Sequence, residues 1–126
     1  EVQRLTGEVV EHYGRVDILV NAAGLLRTTS FAEITKSEWD LVMDANLGTA
    51  FLMCQAVAPL MLLQRSGRIV NFSSVAGQVG GILSGAHYAA SKAGVISLTR
   101  SLAKLLGPHG ITCNAVAPAG VESEML

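Results

Sequence analysis

A chain of 126 residues suits one domain with one hydrophobic core. Half of the residues are apolar and only 15% are charged, which excludes a disordered chain. The net charge is −1 and the Lys and Arg residues are scattered, so the basic stripe of a nucleic-acid-binding protein is absent. No uninterrupted apolar run reaches the roughly 18 residues of a membrane span. The longest, Ala56 to Leu63, contains Pro59 and stops at Gln64 and Arg65.

In chain order, Val2, Leu5, Val9 and Val10 have helical spacing up to Tyr13, and Gly14 supplies the stop. Asp17 to Asn21 contains Ile18-Leu19-Val20, apolar on both faces, as a strand in a covered parallel sheet requires. A loop of small and polar residues follows to Ser30. Ser37 is the expected N-cap of a long helix to about Gln64, with Glu38 and Asp40 facing the positive end of its dipole. Gly48 and Pro59 are expected bends, and Gly67 is expected to end it. Trp39, Met43, Met53 and Met61 read as helix packing. Arg68 to Ser73 is a second strand. Ser74 to His87 holds four glycines and no periodicity, and is expected to be a loop. Tyr88 to Leu106 is a helix with Val95, Leu98, Leu102 and Leu105 on one face, ended at Gly107-Pro108. Ile111 to Ala117 is a third strand. Helix and strand alternating at this spacing predict a parallel α/β sheet.

Cys54 and Cys113 occur outside any Cys-x-x-Cys pair or Cys/His cluster, so they read as reduced packing residues, and no metal site is expected. The chemistry-bearing constellation is Tyr88-Ala-Ala-Ser-Lys92, at the start of a helix. Four residues put Tyr88 and Lys92 on one face, one turn apart. A phenol ordinarily titrates near about 10, too high for ready proton exchange at neutral pH. A neighbouring ammonium favours the phenolate, so the pair is suited to acid–base work on a carbonyl or alcohol oxygen. Asn21-Ala22-Ala23-Gly24 follows the first strand, and Asn46 lies mid-helix in Ala-Asn-Leu-Gly. Ser73-Ser74-Val75-Ala76-Gly77 closes the second strand, and Asn114-Ala-Val-Ala-Pro118 closes the third.

In this order and spacing the five motifs resemble the short-chain dehydrogenase/reductase family, and the resemblance runs through residues 1–126. The texture of Tyr-Ala-Ala-Ser-Lys-Ala-Gly is similar to its 3-oxoacyl-carrier-protein reductase group. The resemblance implies a Rossmann-like, doubly wound parallel sheet, present here as a segment of three strands and three helices. It implies a nicotinamide-dependent oxidoreductase that reduces a carbonyl or oxidises an alcohol, with NAD or NADP as cofactor and NADP slightly favoured. Tyr88 would be the acid or base. Lys92 would assist it and bind the nicotinamide ribose. Ser74, ahead of its neighbour Ser73, would donate to the substrate oxygen. Asn46 would hold a water that links Lys92 to solvent. Asn21, Ala23 and Gly24 would line the cofactor's adenosine-ribose side, and Pro118, Val121 and Ser123 its nicotinamide. His87 is a lesser candidate, as a wall of the substrate pocket.

One departure lies after the third strand. The family has Pro-Gly and then a Thr three residues later. Here Pro118-Ala119-Gly120 puts a methyl where glycine admits the nicotinamide, with Ser123 at the Thr position. The family's glycine-rich phosphate loop has no match in residues 1–126. Residues 1–126 are therefore expected to be the central and C-terminal part of a single NAD(P)-binding domain without its N-terminal cofactor-binding part. Right-handed crossovers would put all three helices on one face of the sheet and leave the other bare. The resemblance also implies a homodimer or homotetramer through the two long helices, a small carbonyl or alcohol substrate in an apolar-leaning pocket, and a cytoplasmic location. The alternative is a truncated non-catalytic remnant that serves as an assembly or interaction module.

Overall fold

Three strands built from alternating inward and outward residues organise the chain. The computed structural model describes residues 1–120. The strands β1 (Ile18–Asn21), β2 (Gly67–Phe72) and β3 (Ile111–Val116) form a parallel sheet in the order β1-β2-β3. Leu19 pairs in register with Ile69, and Ile69 with Cys113. These three residues are buried on one face, together with Ile111. Five helices precede, separate or flank the strands among the described residues: α1 (Val2–Tyr13), the run α2 (Lys36–Met43) and α3 (Thr49–Gln64), the short α4 (Val75–Val79), and α5 (Ala86–Leu106). The helix α3 packs on β1 and β2, α5 packs on β2 and β3, and α1 packs on α3. Cys54, Val57 and Met61 of α3 and Leu106 of α5 complete the core over Leu19 and Ile69.

The expected one-sided sheet is what forms. Ile18, Val20 and Val116 point away from the helices and are 64%, 53% and 44% exposed. Arg68 and Thr112 share their face. The cause is the period of two along a strand together with crossovers of one hand.

The helix boundaries depart from the sequence reading at four places. The cap of α2 is Thr35 rather than Ser37, and its hydroxyl accepts a hydrogen bond from the Glu38 backbone N–H at 3.1 Å. The bend expected at Gly48 is a π turn over Asp44–Gly48, closed by the Thr49 N–H on the Asp44 carbonyl. Thr49 also donates its hydroxyl to the Ala45 carbonyl at 2.7 Å. Pro59 is accommodated inside α3 because it and Gln55, whose carbonyl it leaves without an N–H partner, both face outward. The helix ends on Arg65 in the left-handed region (φ 53°), not on Gly67. Gln64 stabilises this end by accepting from the Val16 N–H and donating to the Val16 carbonyl, at 3.0 and 2.7 Å.

The segment expected to be a loop contains the helix α4, and α5 starts two residues before Tyr88. Taken as one helix, Lys36–Gln64 is long and apolar enough by composition to cross a bilayer. That property is invisible in the shorter run Ala56 to Leu63, because it depends on the whole 29-residue helix. Here its residues Val42, Ala50, Cys54, Val57 and Met61 are buried within the chain.

Two outcomes are expected. As an isolated 126-residue polypeptide the chain associates through the open sheet face, so light scattering shows concentration-dependent species larger than one chain, which an Ile18→Lys, Val20→Lys variant reduces. Burial pushes the Cys54 thiol up and the Cys113 thiol up to about 11. Both therefore resist a thiol reagent at pH 8 in the folded chain and react fully in denaturant.

Candidate active site

Asn46 ties the site together. The π turn presents its side chain inward, where it is 2% exposed. Its Oδ1 accepts the Leu25 N–H at 2.6 Å, and its Nδ2 donates to the Leu25 carbonyl at 3.0 Å and to Ser91 Oγ at 2.9 Å. Ser91 in turn donates to the Tyr88 carbonyl at 2.7 Å. One amide thus joins the loop after β1 to the first turn of α5. Both of its donors are spent on protein, so only a remaining Oδ1 lone pair is left for the water assigned to it from the resemblance.

Lys92 sits one turn after Tyr88. It is 5% exposed, donates from Nζ to the Phe72 carbonyl at 3.0 Å, and lies 5.8 Å from the centre of the Tyr88 ring. An ammonium has three donors, so two remain. They adjoin Gly24, where a Cβ would stand 3.4 Å from Lys92 Nζ and 3.3 Å from Asn46 Oδ1. Glycine keeps that space open, and Ala22, Ala23 and Gly24 are all exposed around it. Buried, unspent donors beside an open backbone fit the hydroxyl groups of a ribose. Burial holds the Lys92 ammonium below its ordinary value of 10.5.

The two serines after β2 divide the work as the pleat dictates. Ser73 is buried and donates to the Lys92 carbonyl at 2.7 Å. Ser74 caps α4, accepting the Ala76 N–H at 3.1 Å, which leaves its hydroxyl hydrogen free to donate. Ser74 and Tyr88 line a cleft of about 770 Å³ with Leu26, Thr28, Val79 and Pro118. Most of its walls are apolar. Val79, Ile82 and Leu83 at its mouth are exposed.

Asn46, Ser74, Tyr88 and Lys92 are therefore brought together around the ends of β1 and β2, with Gly24 beside Asn46 and Lys92. Asn21 is more inward than expected: its Nδ2 donates to Asn71 Oδ1 at 2.8 Å, and it lines a small cavity with Ala22, Ala23 and Asn46. Pro118 accepts the Val75 N–H at 3.1 Å and reaches the cleft beside Ala119 and Gly120. Val121 and Ser123 lie outside the described residues. His87 does not line the cleft. It is fully buried and turned toward Glu38, 2.9 Å away.

Three contributors escaped the sequence reading. Ser91 lies inside the Tyr-Ala-Ala-Ser-Lys motif but has no chemistry of its own there. Leu25 acts through its backbone, which no side-chain pattern reports. Gly77 lets α4 approach α5, since a Cβ there would stand 2.6 Å from the Lys92 backbone carbon. Among the described residues no group of His, Cys, Asp or Glu is arranged to hold a metal ion.

The lowered Lys92 value has a measurable sign. Below it, folded and unfolded chains both carry the charge, and the folded state bears the full burial penalty. As pH rises toward 10.5 the folded chain releases this proton first, so the stability contributed by Lys92 rises. The stability of the wild type minus that of Lys92→Met is expected to increase with pH over this alkaline window in denaturant titrations. A flat difference would show that the ammonium is not desolvated.

Comparison with known proteins agrees with this geometry. The sequence matches the short chain dehydrogenase family over residues 1–126. It is 48% identical over 125 residues to the 3-oxoacyl-[acyl-carrier-protein] reductase FabG of Staphylococcus aureus, covering 99% of this chain and 50% of that protein. It is 43% identical to the corresponding FabG of Thermotoga maritima, again covering 99% of this chain and 50% of that one. The chain thus spans about half the length of the curated relatives it matches. The crystal structure of gox2181 superposes with a TM-score of 0.94 at 42% identity, over 98% of this chain and 49% of that one. A Burkholderia xenovorans structure described as a short-chain dehydrogenase/reductase gives 0.93 at 37% identity, over 98% of this chain and 47% of its own. The family match over residues 1–126, with the fold and sequence likeness to these relatives, places the chain in the short-chain dehydrogenase family.

Proposed function

We propose that residues 1–126 form the central and C-terminal part of an NAD(P)-binding Rossmann domain, in a cytoplasmic oxidoreductase that interconverts a small carbonyl compound and its alcohol. The observation that carries this reading is the shared cleft of Ser74 and Tyr88, with the buried Lys92 ammonium one turn behind. A bound nicotinamide, NADP ahead of NAD, supplies or accepts the hydride. Lys92 holds the nicotinamide ribose through its two unspent donors, beside the opening that Gly24 maintains. Asn21, Ala23, Pro118, Val121 and Ser123 complete the cofactor's surroundings.

The chemistry of this chain is proton transfer and oxygen binding. In reduction, Tyr88 gives its hydroxyl proton to the substrate oxygen as negative charge develops there, and in oxidation it takes that proton back. Ser74 donates a hydrogen bond to the same oxygen, which steadies the charge. The nearby Lys92 ammonium stabilises the negative oxygen left on Tyr88. Asn46 fixes the loop and the helix turn that hold these groups in reach, and its free lone pair can seat a water on the way from Lys92 to solvent. The apolar walls exclude water and accept a hydrocarbon substituent, so a 3-oxoacyl thioester, the substrate class in the relatives' name, fits alongside simpler ketones. The outer side of α3 presents Phe51, Leu52 and Leu63 to solvent. This apolar surface supports a homodimer or homotetramer through α3 and α5. It is also the observation that favours the second reading, a non-catalytic assembly module.

The test is NADPH- and NADH-dependent reduction of 3-oxoacyl thioesters and small apolar ketones by the protein that carries this sequence. Tyr88→Phe is expected to lower kcat by roughly 10²- to 10⁴-fold with cofactor binding retained. Ser74→Ala is expected to lower it by roughly 10²-fold. Near-normal turnover by Tyr88→Phe would overturn the acid–base assignment. Cofactor binding without any turnover by the wild type would favour the assembly module.

A further inference from the structure

The fully buried His87 is unused by this chemistry, yet it adjoins Tyr88 in sequence. Its Nε2 meets Glu38 Oε2 at 2.9 Å, and the other oxygen, Oε1, accepts the Thr29 hydroxyl at 3.0 Å. One carboxylate therefore bridges the loop after β1 and the first turn of α5. Its own backbone is fixed by the Thr35 cap. The hydrogen bond from Thr29, and after it the one from His87, holds the Glu38 carboxyl below its ordinary value of 4.5, so the acceptor is ionised at neutral pH.

The other imidazole nitrogen, Nδ1, is buried without a hydrogen-bond partner. The tautomer with hydrogen on Nε2 serves Glu38 and leaves a lone pair at Nδ1 rather than an orphaned donor. The ring lies against Gly85, where a Cβ would stand 2.3 Å from His87 Cε1 and 3.0 Å from the Arg27 carbonyl. Gly85 donates its N–H to that carbonyl at 2.8 Å. The loop is thus stitched to the start of α5 twice, by backbone at Arg27 and by side chain at Thr29. Leu26 and Thr28, interleaved with those anchors, line the cleft together with Tyr88.

We propose that Thr29, Glu38 and His87 are positioning residues, a relay that sets the distance between the Leu26–Thr28 wall of the substrate cleft and Tyr88. The inference rests on the cleft being the substrate site, as proposed above. Side chains touching no substrate then govern which substrates fit. A loosened wall no longer holds the substrate oxygen against Ser74 and Tyr88, and a misplacement of about 1 Å there costs up to roughly a hundredfold in rate.

The experiment compares His87→Leu, His87→Gln and Thr29→Val with the wild-type protein, by steady-state kinetics on ketones of graded size and by amide hydrogen exchange. His87→Leu is expected to lower kcat/KM roughly tenfold or more for the preferred ketone and to lower it less for bulkier ones, with cofactor affinity unchanged. Exchange is expected to accelerate at residues 26–29 and at Gly85. His87→Gln, which keeps a donor to Glu38, is expected to restore most of both properties. Thr29→Val is expected to raise KM more than it lowers kcat. Unchanged exchange at residues 26–29 in His87→Leu, or an unchanged size preference, would overturn the relay. If the wild type reduces no carbonyl compound, the functional reading falls, and the exchange data alone decide whether the relay fixes the loop.

Discussion

The Asn46 amide is the constraint on which the site depends. It takes the place of backbone pairing at Leu25, by offering that residue both an acceptor and a donor. A buried amide left unsatisfied would cost about 1–3 kcal/mol per group, so the loop and the helix turn are held wherever Asn46 points. The π turn decides that direction. Widening the helix by one residue per turn rotates Asn46 away from the side it would occupy in a regular α-helix. Thr49 absorbs the disturbance by bonding the Ala45 carbonyl with its hydroxyl. Gly24 keeps its open space, and Lys92 keeps its unspent donors, only while this arrangement holds.

Much of the plan was legible in the sequence, because it follows from periodicity and covalent spacing. The three strands, the helical run to Gln64 and the Tyr88–Lys92 turn are set by local patterns. That Ser73 is buried and Ser74 is turned to the cleft follows from strand alternation once the strand end is known. What escaped was set by tertiary packing. Ser37 is as good a cap as Thr35 by residue type, and the path of the chain out of Phe31–Glu33 selects the latter. A π turn has no residue signature distinct from an α turn. The helix α4 is short and glycine-bearing, and its packing against α5 supplies what its propensity lacks. His87 looked like a pocket residue from its neighbour Tyr88, but adjacent helix positions diverge by about a quarter turn. That rotation carries it to Glu38.

The polar residues inside the covered layer follow the same logic as Asn46. Asn71 is fully buried in β2, accepts from Asn21 and donates to Thr99 at 3.0 Å. Thr99 passes its own hydroxyl hydrogen to the Val95 carbonyl. This chain of bonds ties the end of β1 through β2 to α5. An apolar core alone would leave the two layers free to slide. Directional bonds fix the register between them, and with it the depth at which Lys92 lies beneath Phe72.

The adjacent pair Ser73 and Ser74 has a mechanical meaning. One hydroxyl grips the backbone of the helix that carries Tyr88 and Lys92, and the next residue along turns its own hydroxyl to the cleft. Both are borne on the same two-residue stretch at the tip of β2. A displacement of this tip is therefore shared with α5, so the Ser74 hydroxyl and the side chains of Tyr88 and Lys92 have a common mount. The loop after β1 is joined to that same helix through Leu25, Arg27 and Thr29, so the tip of β2, the start of α5 and the loop form one frame around the cleft.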